Sequence, residues 1–158
     1  MRSSIGIDVA APPDLVYRLA RDVTRWERLL PHYARSRVVR READGTLVCD
    51  FVARRVIVPW LGLGIPVAWR SRTWHEPATR QLHFHHVAGA TRGMDVTWTI
   101  EPAGEGTTRV EIGHDFRPRV PGFALFVDTV FTRPIAGRTL ATFRALAETL
   151  ATDDESTP

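Results

Sequence analysis

Six short segments with alternating apolar and polar side chains fill the middle of the chain, and tight turn signals separate them. They span residues 35–42, 46–57, 66–75, 81–88, 91–101 and 107–116. Such alternation is typical of strands with one buried face. The sequence Ala43-Asp44-Gly45 is a hairpin signal between the first two segments. Strands joined by turns this short pair antiparallel, so we predict an antiparallel meander.

Before this region, the chain predicts one further strand and two short helices. Ile5, Ile7 and Val9 alternate along the predicted first strand. Pro12-Pro13-Asp14 opens a helix, because proline is tolerated in a first helical turn. Asp22 or Thr24 can then cap a second short helix.

The C-terminal part, from residue 121 to about 151, changes to a helical pattern in which apolar residues recur three and four apart. Four phenylalanines lie on this stripe, at positions 123, 126, 131 and 143. Pro134 and Gly137 predict a kink or break between its two halves.

The order of elements predicts an α+β fold with about seven strands, in which the long C-terminal helix covers the concave face of a twisted sheet. Incomplete closure between sheet and helix leaves an apolar cavity, the usual kind of small-molecule site. The length of 158 residues suits one domain. We place that domain at residues 1–151 and predict that the acidic tail, residues 152–158, is disordered.

Composition excludes several classes of function. All 21 Lys+Arg residues are arginine, so neither a Schiff-base lysine nor a P-loop lysine is possible. The arginines are scattered and match no nucleic-acid-binding motif, so we expect no nucleic-acid partner. The single cysteine, Cys49, excludes a disulfide framework and is interpreted as a core thiol.

The longest apolar run, residues 56–68, is interrupted by two prolines and two glycines, so no membrane insertion is expected. No apolar signal core follows the N-terminus. These features predict a cytoplasmic protein, as a monomer or a homodimer. The apolar residues Trp60, Leu61, Leu63 and Ile65 form a loop whose role as a lid, a partner contact or simple packing stays open.

The segments VAAPPDLVYRLARDVTRWERLLPHY, WRSRTW and RGMDVTWTIEP resemble the START-like helix-grip superfamily, and within it the polyketide cyclase/dehydrase branch. The resemblance covers about residues 3–150. It implies a helix-grip fold, in which a strongly curved sheet wraps around the C-terminal helix. It also implies a cavity that binds a polyketide-like ligand, with aldol cyclisation and dehydration if the protein is an enzyme. An acyl carrier protein is a candidate partner, and no cofactor or metal is expected.

The resemblance also implies particular cavity residues. The family's tyrosine after the second helix matches Tyr33, and its Trp-x-Ser pattern matches Trp69 and Ser71. A further cavity tryptophan matches Trp98. The family carries an arginine two residues after the serine, where this chain has Thr73. That arginine stabilises enolate charge in the family, so another group must supply this role here or the chemistry is absent.

Three residues are candidates for acid and base chemistry. Tyr33 and Ser71 carry hydroxyls that can position or protonate a carbonyl oxygen. His114 shares a predicted strand face with apolar residues and is a candidate proton shuttle. Each has an alternative role, as a hydrogen-bonded wall or core residue. We predict that the ligand contacts Phe51, Trp69, Thr73, Phe84, Met94, Trp98, Phe116, Phe126 and Val130.

Two alternatives remain open from the sequence. A non-catalytic carrier of a quinone or lipid would use the same fold, and coenzyme-Q-binding proteins share the opening motif. His83 and His85, with His86 beside them, have a spacing that can chelate zinc, but they lack an evident third ligand and should face outward. Asp128 is either an acid at the cavity gate or, as we expect, a charge on the helix surface.

Overall fold

The structure is a computed structural model that describes residues 1–58 and 63–155. Within these residues, seven strands form one antiparallel sheet in the order β1-β7-β6-β5-β4-β3-β2. The strands are β1 Arg2–Val9, β2 Tyr33–Arg41, β3 Leu47–Val58, β4 Leu63–Glu76, β5 Gln81–Gly89, β6 Asp95–Gly104 and β7 Thr107–Asp115. The predicted antiparallel meander is confirmed, and β1 joins it by pairing with β7.

The helices occupy the two predicted places. Helix α1 spans Pro13–Arg21, a 3-10 turn spans Val23–Arg25 and α2 spans Trp26–Leu29. The Asp22 side chain caps the 3-10 turn by accepting a hydrogen bond from the Thr24 amide at 3.2 Å. The C-terminal part consists of α3 Phe123–Val127, a π-helical segment Asp128–Thr132 and α4 Arg133–Glu155. Helix α4 therefore includes the first four residues of the predicted tail.

The strand predicted for residues 91–101 begins later than expected. Residues 90–93 form a turn and β6 starts at Asp95. Gly89 and Gly93 have φ angles of 93° and 86°. Because this left-handed region suits glycine, the two residues let the chain reverse tightly. Residues 91–94, predicted as strand, therefore precede β6 and are not part of it.

The break in the C-terminal helix is the π-helical segment, so the predicted position between Pro134 and Gly137 is wrong. Pro134 has no amide hydrogen and cannot bond to the carbonyl of Val130, four residues earlier. That carbonyl instead accepts a hydrogen bond from Nε of Arg55 at 2.9 Å. Proline thus acts on the turn before it. Helix α4 continues through Gly137, where an added Cβ would lie only 3.3 Å from Cδ1 of Ile5 on β1.

Helix α4 packs along the sheet through Leu140, Phe143 and Ala147, which are almost completely buried. Its nearest elements are β1, α1 and β3. The long helix therefore lies in the concavity of the sheet, and the predicted helix-grip fold is confirmed. Among residues 1–58 and 63–155, no helix has both the length and the apolar character that a membrane span needs.

Candidate functional site

An internal cavity lies between the sheet and the N-terminal half of α4, and we refer to it as the inner cavity. Its walls are mostly aromatic and aliphatic, with a few histidines and hydroxyl groups. The lining residues are Trp26, Tyr33, Phe51, Val67, Trp69, Phe84, His86, Thr91, Met94, Val96, Trp98, Ile112, His114, Phe131, Thr132, Ile135, Ala136 and Thr139.

The unfilled volume of the inner cavity is about 80 Å³. Pockets for drug-sized ligands usually measure roughly 300–1,000 Å³. A polycyclic ligand must therefore displace lining side chains as it enters. Phe131, Thr132 and Ile135 line the helical side of the cavity around the π-helical segment, where the helix is irregular.

Trp26 occupies the centre of the aromatic wall. Its ring centroid lies 5.3–6.0 Å from those of five other aromatic side chains, and its Nε1 donates a hydrogen bond to the Ala20 carbonyl at 3.0 Å. The five neighbours are Tyr33, Phe51, Phe84, Trp98 and Phe143. Trp26 lies on the second short helix that the sequence predicts, but helical periodicity alone does not show which strands this helix faces.

Trp69 belongs to the same aromatic group through its contact with Tyr33, with ring centroids 6.0 Å apart. It stacks on Phe51, with centroids 5.4 Å apart and planes inclined by 19°. The two residues are direct partners in the β3–β4 pairing, which brings their rings together. Offset stacking of this kind is a favoured arrangement of aromatic rings and holds the Trp69 side chain in place.

His114 lies in the wall of the inner cavity on β7 and is only 8% exposed. Burial lowers the pKa of His114 to about 4, which the Arg133 charge favours and the Asp128 charge opposes. The imidazole is therefore neutral near pH 7. A neutral imidazole can accept a proton from a bound molecule.

Asp128 is buried, so the expectation of a helix-surface charge is wrong. Its two carboxylate oxygens accept hydrogen bonds from Ser3 Oγ at 2.7 Å and from Arg133 Nε at 2.8 Å. Burial opposes ionisation, yet these two hydrogen bonds hold the pKa of Asp128 below its ordinary value. The carboxylate is thus charged and interacts electrostatically with His114, whose backbone partner on β1 is Ser3.

His86 is a second buried histidine of the inner cavity and was not among the predicted site residues. Its Nδ1 is hydrogen-bonded to Thr91 Oγ1 at 2.7 Å, and burial lowers the pKa of His86 to about 3. Leu82, Phe84 and His86 alternate along β5 and all face inward. This alternation could have identified His86 from the sequence.

Tyr33 lies beside a hydrogen-bonded pair that links α4 to the start of β2. Thr139 Oγ1 donates to the Ile135 carbonyl at 2.8 Å and is hydrogen-bonded to Nε2 of His32 at 2.8 Å. Because the Thr139 hydrogen is already used, Nε2 of His32 must carry a proton and donate it. The Tyr33 hydroxyl also interacts with Thr139, and burial raises the pKa of Tyr33, so its hydroxyl stays protonated.

The structure brings seven of the predicted site residues together around the inner cavity. They are Tyr33, Phe51, Trp69, Phe84, Met94, Trp98 and His114. Trp69 and Trp98 lie on the same face of the sheet, as expected from strand alternation. Their roles toward a ligand stay predictions.

The other five predicted residues do not line the inner cavity. Ser71 is fully buried and its Oγ lies 3.1 Å from two backbone carbonyl oxygens. Phe116 packs against Phe123, and the side chain of Phe126 is 52% exposed. Val130 is half-buried. Thr73 lies near the C-terminal end of β4 and lines a second cavity.

The histidines predicted to face outward do so. His85 Nδ1 is hydrogen-bonded to Asp95 Oδ1 at 2.6 Å, and His83 stacks on Trp74 with centroids 5.1 Å apart. Of the predicted apolar loop, Trp60 and Leu61 lie outside the described residues, and Ile65 is 47% exposed. Cys49 is a buried thiol, and burial raises its pKa to about 11, so it is not a reactive thiolate.

Comparison with known proteins finds a family model and related sequences that both concern polyketide cyclases. A family model described as "Polyketide cyclase / dehydrase and lipid transport" matches residues 9–143. The granaticin polyketide synthase bifunctional cyclase/dehydratase of Streptomyces violaceoruber is 30% identical over 153 residues, which are 94% of this chain and 44% of that protein.

Two solved structures share the fold. The Zhui aromatase/cyclase from Streptomyces sp. R1128 superposes with a TM-score of 0.77 at 21% identity, covering 94% of this chain and 93% of that one. The di-domain aromatase/cyclase BexL from the BE-7585A biosynthetic pathway has a TM-score of 0.73 at 27% identity, covering 97% of this chain and 48% of that one. The chain thus spans less than half the length of the granaticin relative and of BexL.

Proposed function

The chain belongs to the polyketide cyclase / dehydrase and lipid transport family, and on this premise we propose that it is a polyketide cyclase. Its inner cavity binds a poly-β-ketone and promotes an aldol cyclisation followed by dehydration. The observation that carries this proposal is the placement of a neutral histidine, His114, and a protonated tyrosine, Tyr33, in the wall of one aromatic cavity.

The reaction needs one group that accepts a proton and one that donates a proton. A carbon between two carbonyls loses a proton. The resulting enolate carbon attacks a more distant carbonyl of the same chain and forms the new ring bond. The alkoxide formed there gains a proton. Loss of a further carbon-bound proton and of the hydroxyl, as water, completes the dehydration.

His114 is the proposed base. Its low pKa makes it a weak base in the empty cavity. The Asp128 carboxylate favours the imidazolium that forms when His114 accepts a proton. A base oriented or stabilised by a third group is a common arrangement in enzymes. After the ring closes, the imidazolium returns its proton to the departing hydroxyl. The Tyr33 phenolate, formed when the alkoxide was protonated, accepts the second carbon-bound proton, so both residues are neutral again at the end.

Tyr33 is the proposed acid for the alkoxide, because its raised pKa keeps the hydroxyl protonated. Thr73 stands where the family has its arginine, but it is uncharged and lines the second cavity. It therefore cannot stabilise the enolate charge. We therefore assign stabilisation of the enolate oxygen to hydrogen bonding by Tyr33 and by the neutral His86 imidazole. Donors already placed in a cavity without bulk water stabilise such charge better than water does.

The aromatic walls have a separate task. Trp26, Trp69 and Trp98 limit the conformations of a flexible polyketone and exclude water from the enolate. An acyl carrier protein would deliver the tethered chain in the cytoplasm. Ser71 stays a predicted site residue, but it would act through the backbone of β5, where it is bonded, and not through the ligand.

The test uses a carrier-bound polyketone and measures the product distribution with and without the protein. Tyr33→Phe and His114→Ala should each lower turnover by about 10²–10⁴-fold with little change in ligand affinity. Tyr17→Phe and His85→Ala are matched controls, because they change the same residue types outside the inner cavity. Equal product distributions with and without the wild-type protein would instead identify a carrier of a hydrophobic metabolite.

A further inference from the structure

A second cavity, of about 280 Å³, lies at the opposite end of the sheet interior. The inner cavity meets β4 at Trp69 and β5 at His86, whereas the second cavity meets these strands at Thr73 and Leu82. Phe84 lines both cavities and separates them. The second cavity is therefore a compartment of its own and is larger than the inner one.

Its floor is apolar, and two buried threonines, Thr46 and Thr73, also line it. Leu47, Leu82 and Phe84 supply the apolar surface. Thr73 is 6% exposed, and its hydroxyl has no hydrogen-bond partner in the described residues other than the weakly polar Cys49 thiol. A buried hydroxyl without a good partner is costly.

The rim of the second cavity carries positive charge. Arg21 from the end of α1 and Arg41 from the end of β2 both line it. In the described residues neither forms an ion pair, although Arg21 lies over the Tyr17 ring, with Cζ 5.7 Å from the ring centroid. Neighbouring arginines do form ion pairs. Those neighbouring pairs are Arg40 and Arg72 with Glu42, and Arg80 with Asp14.

The other polar groups of the rim do not cancel this charge. Asp44 is the acidic residue in the lining, and it accepts a hydrogen bond from the Thr46 amide at 2.9 Å. Two arginines against one aspartate leave one positive charge. His75 is hydrogen-bonded through Nδ1 to the Tyr17 hydroxyl at 2.8 Å. The rim thus attracts an anion, and His75 lies close enough to report one.

We propose that the second cavity binds a small organic carboxylate with an apolar body of one or two rings. The carboxylate pairs with Arg21 and Arg41, since guanidinium groups bind carboxylates well. The rings lie on Leu82 and Phe84, next to the Thr73 side chain. A volume near the lower end of the range for ligand pockets suits a ligand of this size. This site is independent of the cyclase proposal.

The probe is 2-naphthoate, measured by calorimetry and by the NMR signals of the His75 ring. We expect saturable binding that shifts the His75 signals, and much weaker binding of the neutral 2-naphthalenemethanol. Arg41→Gln and Arg21→Gln should each weaken naphthoate binding by about tenfold, the scale of a lost hydrogen bond to a charged group. Arg37→Gln and Arg18→Gln remove the same charge from the same elements outside the cavity and should leave binding unchanged.

A third variant, Thr73→Met, fills the cavity without changing its charge and should abolish binding. If Thr73→Met does not fold, naphthoate binding by the Arg21 and Arg41 variants still tests the proposal. Both arginines are exposed, so their replacement does not disturb the core. Equal binding of the neutral alcohol, or unchanged affinity in both arginine variants, overturns the proposal. Loss of naphthoate binding in Trp69→Ala overturns it as well, since the probe would then occupy the inner cavity. No turnover enters these measurements, so they stand whether or not the protein is a cyclase.

Discussion

The His86 imidazole stacks on the Trp69 indole, with ring centroids 5.7 Å apart and ring planes inclined by 22°. The hydrogen bond between His86 Nδ1 and Thr91 fixes the ring within that stack. Phe51 on β3 stacks on Trp69 as well, so Phe51, Trp69 and His86 form one stack across three neighbouring strands. A planar ligand in the inner cavity would meet aromatic ring edges and the polar edge of His86 at this stack.

Replacing Trp69 by alanine should weaken the binding of a naphthoquinone or anthraquinone by roughly 1–3 kcal/mol, the scale of a lost aromatic contact in a buried site. Quenching of tryptophan fluorescence on titration gives the affinity. Trp74→Ala is the control on the same strand: Trp74 lies outside the inner cavity and lines the second one, so unchanged affinity in this variant also shows that the quinone does not occupy the second cavity. Equal affinity in wild type and Trp69→Ala would remove Trp69 from the binding site.

Stability should fall as the pH drops below about 6.5, because three buried histidines are neutral in the fold. Burial lowers the pKa of His32 and His114 to about 4 and that of His86 to about 3. The unfolded chain, with an ordinary histidine pKa near 6.5, binds protons first, so acid favours unfolding. The stabilisation is complete above pH 6.5 and is lost as the pH falls toward 4.

Each such histidine contributes a slope of up to about 1.4 kcal/mol per pH unit in that window. Urea unfolding at several pH values between 4.5 and 7.5 measures the slope. His86→Gln should flatten it by about one third, whereas Gln81→Ala, which removes no titratable group from the same strand, should leave it unchanged. A slope that is the same in all three proteins would contradict the burial of a neutral His86.

Asp128→Asn should lower the pKa of His114 further, because the Asp128 charge raises it in the wild type while Arg133 lowers it. NMR titration of the His114 ring measures the change directly. Asp95→Asn, next to the exposed His85, is the control that removes an equivalent charge far from His114. A His114 pKa that stays constant or rises would show that the two side chains are not coupled.

Trp26→Ala should lower the free energy of unfolding by about 3–5 kcal/mol, since a large buried ring is removed from among five aromatic neighbours. The same change enlarges the inner cavity. Chemical denaturation measures the first effect, and binding of an aromatic ligand too large for the wild-type cavity measures the second. Trp74→Ala, at a partly exposed position, should cost much less. Similar costs for both variants would argue against a central role of Trp26.

The fold could be predicted largely from local pattern. Alternation placed Phe51, Phe84 and Trp98 on inner strand faces, and the turn signals implied antiparallel pairing; the structure has both. The same rule would have assigned His86 to the inner face. The late start of β6 was missed, because two glycines with left-handed backbones convert part of the predicted strand into a turn.

The sequence by itself determined the order of the elements, the inward face of each strand and the family, because these depend on spacing and on motifs within short segments. Only the tertiary structure decided what lies opposite each face. It buries Asp128 against Ser3, which lies 125 positions earlier in the chain, and it joins His32 to Thr139 across 107 positions. It also divides the interior into two cavities at Phe84. Contacts and unfilled volumes of this kind depend on how side chains of given size pack between distant segments, and periodicity along the chain carries no information about that packing.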